Sequence, residues 1–365
     1  MSMIQRIIKP YISFSDVEKD LKEVFKTGIF TRGKYAQSFR DAIRKYTGAK
    51  YSFLTTSATT ALWLSLKTIG IKPGDEVAVS DFSFPATANV VEDLGAKPVF
   101  VDVDVDTFNM LPEELQKKIT PKTKAVIFVD ALGNPSGILK IKEICKKHNI
   151  ILIEDAACAF GSRVGDLKCG NISDITCFSF HPRKLVTTGE GGAITTNIKK
   201  YADFFEIKLN YGAVFRKKRW DFINYGYNFR LSEINSLMGL KQVQKMEEII
   251  KHRKKARKAY VDYLEPLGFT IQKANKNVMH NLQSIVFKLP ENINKDKLIG
   301  YLKRNNIEST IGTYCLSKTS YYKKYNQVQP HAKLLEETTI TLPCFQGVDI
   351  VYICRKIKVF CKTKK

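Results

Sequence analysis

Between about residues 50 and 200 the chain alternates two periodicities. Short apolar, β-branched-rich runs occur at YSFLT (51–55), EVAVS (76–80), PVFVDV (98–103), KAVIFVD (124–130), IILIED (150–155), ITCFSF (175–180) and GGAITT (191–196). Such runs predict strands buried on both faces. Between them lie segments of helical spacing: ATTALWLSLKTIG, TANVVEDLG, LPEELQKKI and IKEICKKHN. Strands alternating with helices predict an α/β fold, with a parallel or mostly parallel central sheet flanked by helices. In such sheets ligands bind beyond the carboxyl ends of the strands, so the loops that follow them are where chemistry is expected.

A different pattern begins near Leu231. Helical spacing runs through INSLMGLKQVQKMEEIIKHRKKARKAYVDYLE with no proline and one glycine, Gly239. It predicts one helix of about 30 residues, roughly 45 Å long. This helix is expected to lead from a large α/β domain (1–245) into a smaller C-terminal α+β domain (246–365). There SIVFKL (284–289) and TITLP read as strands, and DKLIGYLKRNN reads as a helix.

Hydrophobic content of 44% and charged content of 26% fit a soluble globular protein. No segment approaches the roughly 18 consecutive apolar residues of a membrane helix. The N-terminal MSMIQRIIKPYIS lacks the apolar core and cleavage site of a secretory signal. A cytoplasmic protein without a membrane span is expected. The eight cysteines form no CxxC pair and no zinc spacing, so they read as reduced thiols, with no metal site. Lys and Arg number 59 against 36 Asp and Glu, a formal charge of +23. That balance suits nucleic acid, but equally a lysine-rich surface or an anionic small molecule such as a nucleoside diphosphate. Basic runs occur at RKKR (216–219) and KHRKKARK (251–258). The second lies in the predicted long helix and would spread over all its faces. With no recognition motif in the chain, no nucleic-acid partner is expected.

Three groups of residues fall at strand ends. TTSATTAL (55–62) joins a strand to a helix; Ser57, Thr59 and Thr60 can cap the helix while its free N–H groups face an anion, or simply cap it. It is no P-loop, since no GxxxxGK occurs. IILIEDAACAFGS (150–162) ends a strand on Glu154 and Asp155, at a ligand position or in an ordinary ion pair. One strand later, SFHPRKLVTTGEGG (179–192) carries Ser179, His181, Arg183 and Lys184 ahead of glycines that let backbone approach a ligand. Alone, Lys184 reads equally as an ion-pair partner or as a Schiff-base lysine. An anion site, an acid and an amine on adjoining strand ends are what pyridoxal 5′-phosphate requires for its phosphate, pyridine nitrogen and aldehyde.

From about residue 10 to 355 the chain resembles the DegT-type nucleotide-sugar aminotransferases, pyridoxal-phosphate enzymes of the aspartate-aminotransferase-like fold (fold type I). The resemblance rests on segments in family order: TGIFTRGKY (27–35), TTSATTAL, PGDEV and FSFPATANVV (within 73–91), GAKPVFVDVDVDTFNM (95–110), IEDAACAFGS, FSFHPRKLVTTGEGG, GYNFRLSEINSLMG (226–239), IGTYCLS (311–317) and TLPCF. The pairing of EDAA with SFHPRK and TTGEGG at this spacing is its most specific part.

The resemblance implies that Lys184 binds the cofactor aldehyde and later shuttles the proton, and that Asp155 pairs with the pyridine nitrogen. It implies that Phe84 stacks on the ring, with core packing as the alternative. Ser57, Ala58, Thr59 and Ser179 are implied to hold the phosphate. Asn228 is implied to reach the phosphate site of a neighbouring subunit, in a homodimer with shared active sites; a turn role is the alternative. His181, Arg183, Arg230 and Tyr314 are implied as substrate contacts, with support of the helix start as the alternative for Arg230 and packing for Tyr314. Two positions depart from the family pattern. Ala58 stands where glycine is usual, and Cys158 replaces a glutamine that hydrogen-bonds the cofactor's 3-hydroxyl. A thiol is a weaker donor, which leaves the ring to be tuned by another group such as His181. The implied reaction carries an amino group from L-glutamate to a nucleoside-diphosphate-linked keto-sugar, a 4-keto-6-deoxyhexose, for surface polysaccharide or glycoconjugate synthesis. The alternatives are a dehydratase or lyase on the same fold, against which the retained Lys184 argues in the dehydratase case, and a non-catalytic basic nucleic-acid-binding protein.

Overall fold

A computed structural model describes residues 4–362; residues 1–3 and 363–365, the ends of the two expected domains and the start of the N-terminal segment, lie outside it. Helices α1 (Phe14–Thr27) and α2 (Lys34–Thr47) precede an alternation of β1 (Tyr51–Thr55), α3 (Ala58–Thr68), β2 (Glu76–Ser80), α4 (Ala86–Asp93), β3 (Lys97–Val101), α5 (Pro112–Lys118) and β4 (Thr123–Val129). Next come α6 (Ile138–Lys147), β5 (Ile151–Asp155), β6 (Ile175–Ser179), β7 (Gly192–Thr196) and α7 (Lys199–Lys208). The strands form one 7-stranded sheet in the order β1-β7-β6-β5-β4-β2-β3. The pairs from β6 across to β3 are parallel; β7 alone runs against its neighbours. This is the mostly parallel sheet expected from the apolar runs.

Burial on both faces explains those runs. Ala78, Val126, Phe128, Leu152 and Phe178 enter one core, while Val77, Val79, Ile127, Ile153 and Cys177 enter the other. The period of two sends neighbouring residues of β5 to opposite sides. Glu154 accepts from Thr176 Oγ1 at 2.7 Å and Ser173 Oγ at 3.2 Å, whereas Asp155 accepts from Thr87 Oγ1 of α4 at 2.8 Å.

The single long helix expected from Leu231 onward is two helices. α8 (Glu233–Val243) and α9 (Met246–Leu264) are separated at Gln244–Lys245, where Lys245 leaves helical geometry (φ −101°, ψ 7°). Neither proline nor glycine marks the break. Its cause is tertiary: buried Gln242 accepts from Thr187 N at 3.1 Å and donates to the Thr187 carbonyl at 2.6 Å, and Lys245 pairs with Asp16 of α1. α8 is drawn against α2 so closely that a Cβ at Gly239 would lie 2.3 Å from the Phe39 ring. α9 turns away: Met246, Ile249 and Ile250 complete a core of the large sheet, whereas Ala256, Tyr260 and Leu264 enter a separate one. That second core lies against an antiparallel sheet of β8 (Thr270–Ile271), β9 (Ile285–Lys288), β10 (Thr310–Ile311) and β11 (Thr339–Leu342), in the order β8-β9-β11-β10. Helices α10 (Lys295–Arg304) and α12 (Ile350–Lys362) complete it, with α11 (Pro330–Thr338) between β10 and β11. Among the described residues no helix is long and apolar enough to cross a membrane.

The basic run KHRKKARK is not spread evenly over solvent-facing surfaces. Arg253 is 1% exposed. Its guanidinium donates to three main-chain carbonyls: those of Leu282, of Gln283 at 2.8 Å and of Cys344 at 2.7 Å. Leu282 has left-handed backbone (φ 61°), a conformation that costs an ordinary residue about 1–2 kcal/mol. Arg253→Leu leaves three carbonyls without their donor and should cost about 3 kcal/mol or more in urea unfolding. Arg253→Lys should recover only part of that, because an ammonium lacks the planar fork. A leucine variant as stable as the parent would contradict this assignment.

A second buried group makes stability depend on pH. Ligand atoms of Asp130, Glu154 and Cys169 lie within 4.8 Å of one another, all buried. Among the described residues neither Asp130 carboxylate oxygen nor Glu154 Oε1 has a hydrogen-bond partner. Burial, then the facing Glu154 carboxylate, pushes Asp130 well above its ordinary value of 3.8. Asp130 therefore takes up a proton on folding, so its contribution to stability is lost as pH rises from the unfolded value through the raised folded one, at up to about 1.4 kcal/mol per pH unit. Asp130→Asn removes that titration. Its melting temperature should fall less steeply than the parent's above pH 4, and parallel profiles would contradict the assignment.

Candidate active site

A cavity of about 540 Å³ opens at the carboxyl ends of β5 and β6, beside the start of α3. This is a volume suited to a cofactor and a small substrate. Ser57 caps α3, accepting from Thr60 N at 3.1 Å while Thr60 Oγ1 accepts from Ser57 N at 3.1 Å. The first-turn N–H groups of Ala58 and Thr59 have no intrahelical acceptor, and both residues line the cavity. β7 crosses directly beneath: a Cβ at Gly192 would sit 2.5 Å from the Ser57 carbonyl carbon. Ala58 in place of the family's usual glycine introduces no strain, since it begins α3 and is not among the residues with left-handed backbone.

Asp155, the last residue of β5, is 5% exposed and lines the same cavity. Its carboxylate accepts from Thr87 Oγ1 at 2.8 Å and Ala157 N at 3.2 Å. Burial pushes its pKa up; the Thr87 and Ala157 hydrogen bonds and the charge of Lys184 oppose that. A dry carboxylate of this kind suits a cationic ring nitrogen.

Lys184 lies in the turn after β6, where its N–H donates to the His181 carbonyl at 2.9 Å. Among the described residues its side-chain hydrogen bond goes to Cys158 Sγ, 3.0 Å away. Ser179, the last residue of β6, is half-buried on the cavity wall. Phe84 is 64% exposed, so it is not a core residue; it lines the cavity 6.4 Å from the Tyr314 ring. Tyr314 is carried there by a short antiparallel pairing of residues 314–315 with 82–83. His181 and Arg183 also line the cavity. His181 Nδ1 accepts from Arg183 N at 3.2 Å and Nε2 lies 4.0 Å from Glu190; burial lowers the His181 pKa.

Asn228 and Arg230 do not line this cavity. Asn228 is exposed. Arg230 stacks over Tyr211 at 4.8 Å, with Nε and Nη1 buried and without acceptors among the described residues. Sequence reasoning missed two buried residues that hold the site. Asn281 Nδ2 donates to the carbonyls of Cys158 at 2.8 Å and Phe160 at 2.9 Å. Gln283 Oε1 accepts from Leu185 N at 2.9 Å while Nε2 donates to the Arg183 carbonyl at 2.6 Å. Nothing local marks either residue, because their partners lie roughly a hundred positions earlier.

These residues fit pyridoxal 5′-phosphate, the cofactor on which the DegT family depends. Ser57, Ala58, Thr59 and Ser179 offer donors to a phosphate, Asp155 a buried carboxylate to a pyridinium, and Lys184 an amine to an aldehyde. The family model of the DegT/DnrJ/EryC1/StrS aminotransferase family matches residues 14–357. GDP-perosamine synthase of Escherichia coli O157:H7 is 32% identical over 343 residues, covering 93% of each chain. The UDP-4-amino-4,6-dideoxy-N-acetyl-beta-L-altrosamine transaminase of Campylobacter jejuni is 30% identical, covering 93% of this chain and 92% of its own. Helicobacter pylori PseC, an aminotransferase involved in pseudoaminic acid biosynthesis, shares the fold with a TM-score of 0.93 and 24% identity, over 99% of this chain and 100% of its own. The match across nearly the whole chain, on a site whose amine, acid and anion cradle meet in one cavity, places this protein in the DegT/DnrJ/EryC1/StrS aminotransferase family.

Proposed function

We propose that this enzyme transfers an amino group from L-glutamate to the ketone of a nucleoside-diphosphate-linked sugar, a 4-keto-6-deoxyhexose, using pyridoxal phosphate. The convergence of Lys184, Asp155 and the α3 N-terminus on one cavity carries this reading. Relatives named for GDP- and UDP-linked amino sugars support the substrate class. When bound, the cofactor supplies the aldehyde that takes up the amino group and the ring that accommodates the electron pair. Asp155, buried and fixed by Thr87, keeps a proton on the ring nitrogen. Lys184 Nζ would take the proton from the donor's α-carbon and deliver it, on the same face, to the carbon that carried the cofactor's aldehyde. Phe84 confines the ring at the cavity mouth, and Tyr314 beside it excludes water from the reacting carbon. Ser57, Ala58, Thr59 and Ser179 bind the phosphate.

The keto acid leaves before the sugar enters the same cavity, so ping-pong kinetics follow. Arg183 and His181 at the rim contact the sugar substrate. Exposed Asn228 serves the phosphate end of a neighbouring copy's site, with Arg230 close by, in a cytoplasmic homodimer. The product feeds surface polysaccharide or glycoconjugate synthesis.

Glutamate alone should bleach the visible absorbance of the purified protein. One member of a panel of nucleotide-linked keto-sugars should restore it, and the aminated sugar should be found by mass spectrometry. A protein whose spectrum responds to glutamate but to no keto-sugar would overturn the acceptor assignment. A spectrum unmoved by every amino donor would overturn the reaction.

A further inference from the structure

We propose that Cys158 is a positioning residue for the reaction: its thiol receives the Lys184 amine whenever that amine is free and holds it over the reacting centre. This rests on the reading of Lys184 as the reactive lysine.

Lys184 carries a long side chain into the cavity, and an unheld amine there samples many rotamers, so fixing it costs conformational freedom. A carboxylate would fix it through charge and hold it too strongly to leave. Asp155, the acid on the same cavity wall, accepts from Thr87 and Ala157 and feels the charge of Lys184 without hydrogen-bonding its amine. The group that meets Nζ is Cys158 Sγ at 3.0 Å. A thiol is a weak donor and a weak acceptor. It directs the amine without trapping it, and it serves the amine before and after proton transfer.

The spacing of the two residues is built into the fold. Cys158 and Lys184 stand on turns after two different strands, β5 and β6. Both turns are fastened by one three-residue segment. Asn281 binds the Cys158 carbonyl, and Gln283 binds both sides of Lys184 through the Arg183 carbonyl and the Leu185 N–H. Between them Leu282 takes its left-handed turn, with its carbonyl held by Arg253. The clamp tolerates nothing bulkier against it: a Cβ at Gly133 would fall 2.2 Å from Asn281 Oδ1 and 2.7 Å from the Cys158 carbonyl. The main chain thus presents the thiol at a set distance, whichever rotamer the lysine leaves from.

Two measurements test the proposal. In full-length protein stripped of cofactor, the rate of iodoacetamide labelling of Cys158, followed by peptide mass spectrometry, should change about five-fold on Lys184→Met, because the amine that meets Sγ in the parent is gone. Equal rates would mean the two groups do not meet and would overturn the proposal. This arm needs neither substrate nor activity, so it decides even if the proposed reaction is wrong. In the holoenzyme, Cys158→Ala should lower the rate of the glutamate half-reaction about ten-fold with KM within about two-fold. It should also displace the pH profile of that rate, and Cys158→Ser should restore most of both. An alanine variant with the parent's rate and pH profile would overturn the proposal, whereas a parent inert towards every amino donor would overturn the reaction instead.

Discussion

The site depends on a guanidinium that is almost wholly buried at the cavity wall. Arg253 donates to the carbonyls of Leu282, Gln283 and Cys344, which ties the middle of α9 to the chain entering β9 and to Cys344, two residues past β11. A planar fork can satisfy several carbonyls at once, and a charge buried without a carboxylate is tolerable only when such dipoles surround it. The result is a fixed turn at Leu282, from which Asn281 and Gln283 reach into the large sheet's loops. The smaller C-terminal core therefore takes part in shaping the cavity. It holds the two turns that carry Cys158 and Lys184.

The alternation of β5 divides the chemistry at that strand's end. Asp155 faces the cavity and is kept dry and hydrogen-bonded by Thr87. Glu154, one residue earlier, faces the opposite core, where Thr176 and Ser173 donate to it and Asp130 stands against it. Two adjacent acids thus have unlike surroundings, and only one is available to a ligand. Single-residue alternation in a strand buried on both faces is sufficient to separate them.

Much of this was legible in the sequence because double-sided burial leaves continuous apolar runs, and because ligand-facing residues sit immediately after them. Ser57, Asp155, Ser179 and Lys184 were all found by that rule, and all line one cavity. The break between α8 and α9 was not legible. It has no proline or glycine and arises where Gln242 bonds Thr187, some fifty-five positions away. Arg253 was hidden among solvent-facing lysines, since inward and outward basic residues look alike in a helical run. Asn281 and Gln283 carry no local signal, their role being defined wholly by distant partners. Asn228 and Arg230 lie outside the cavity of their own chain, and Arg230 packs instead over Tyr211.

The proposed reaction requires Lys184 to be the lysine that holds the cofactor. Borohydride reduction of protein loaded with pyridoxal phosphate, followed by peptide mass mapping, tests this directly. The account predicts the reduced cofactor's mass on Lys184, with no labelled peptide in Lys184→Ala. Label on another lysine, or none in a protein that has taken up pyridoxal phosphate, would contradict it.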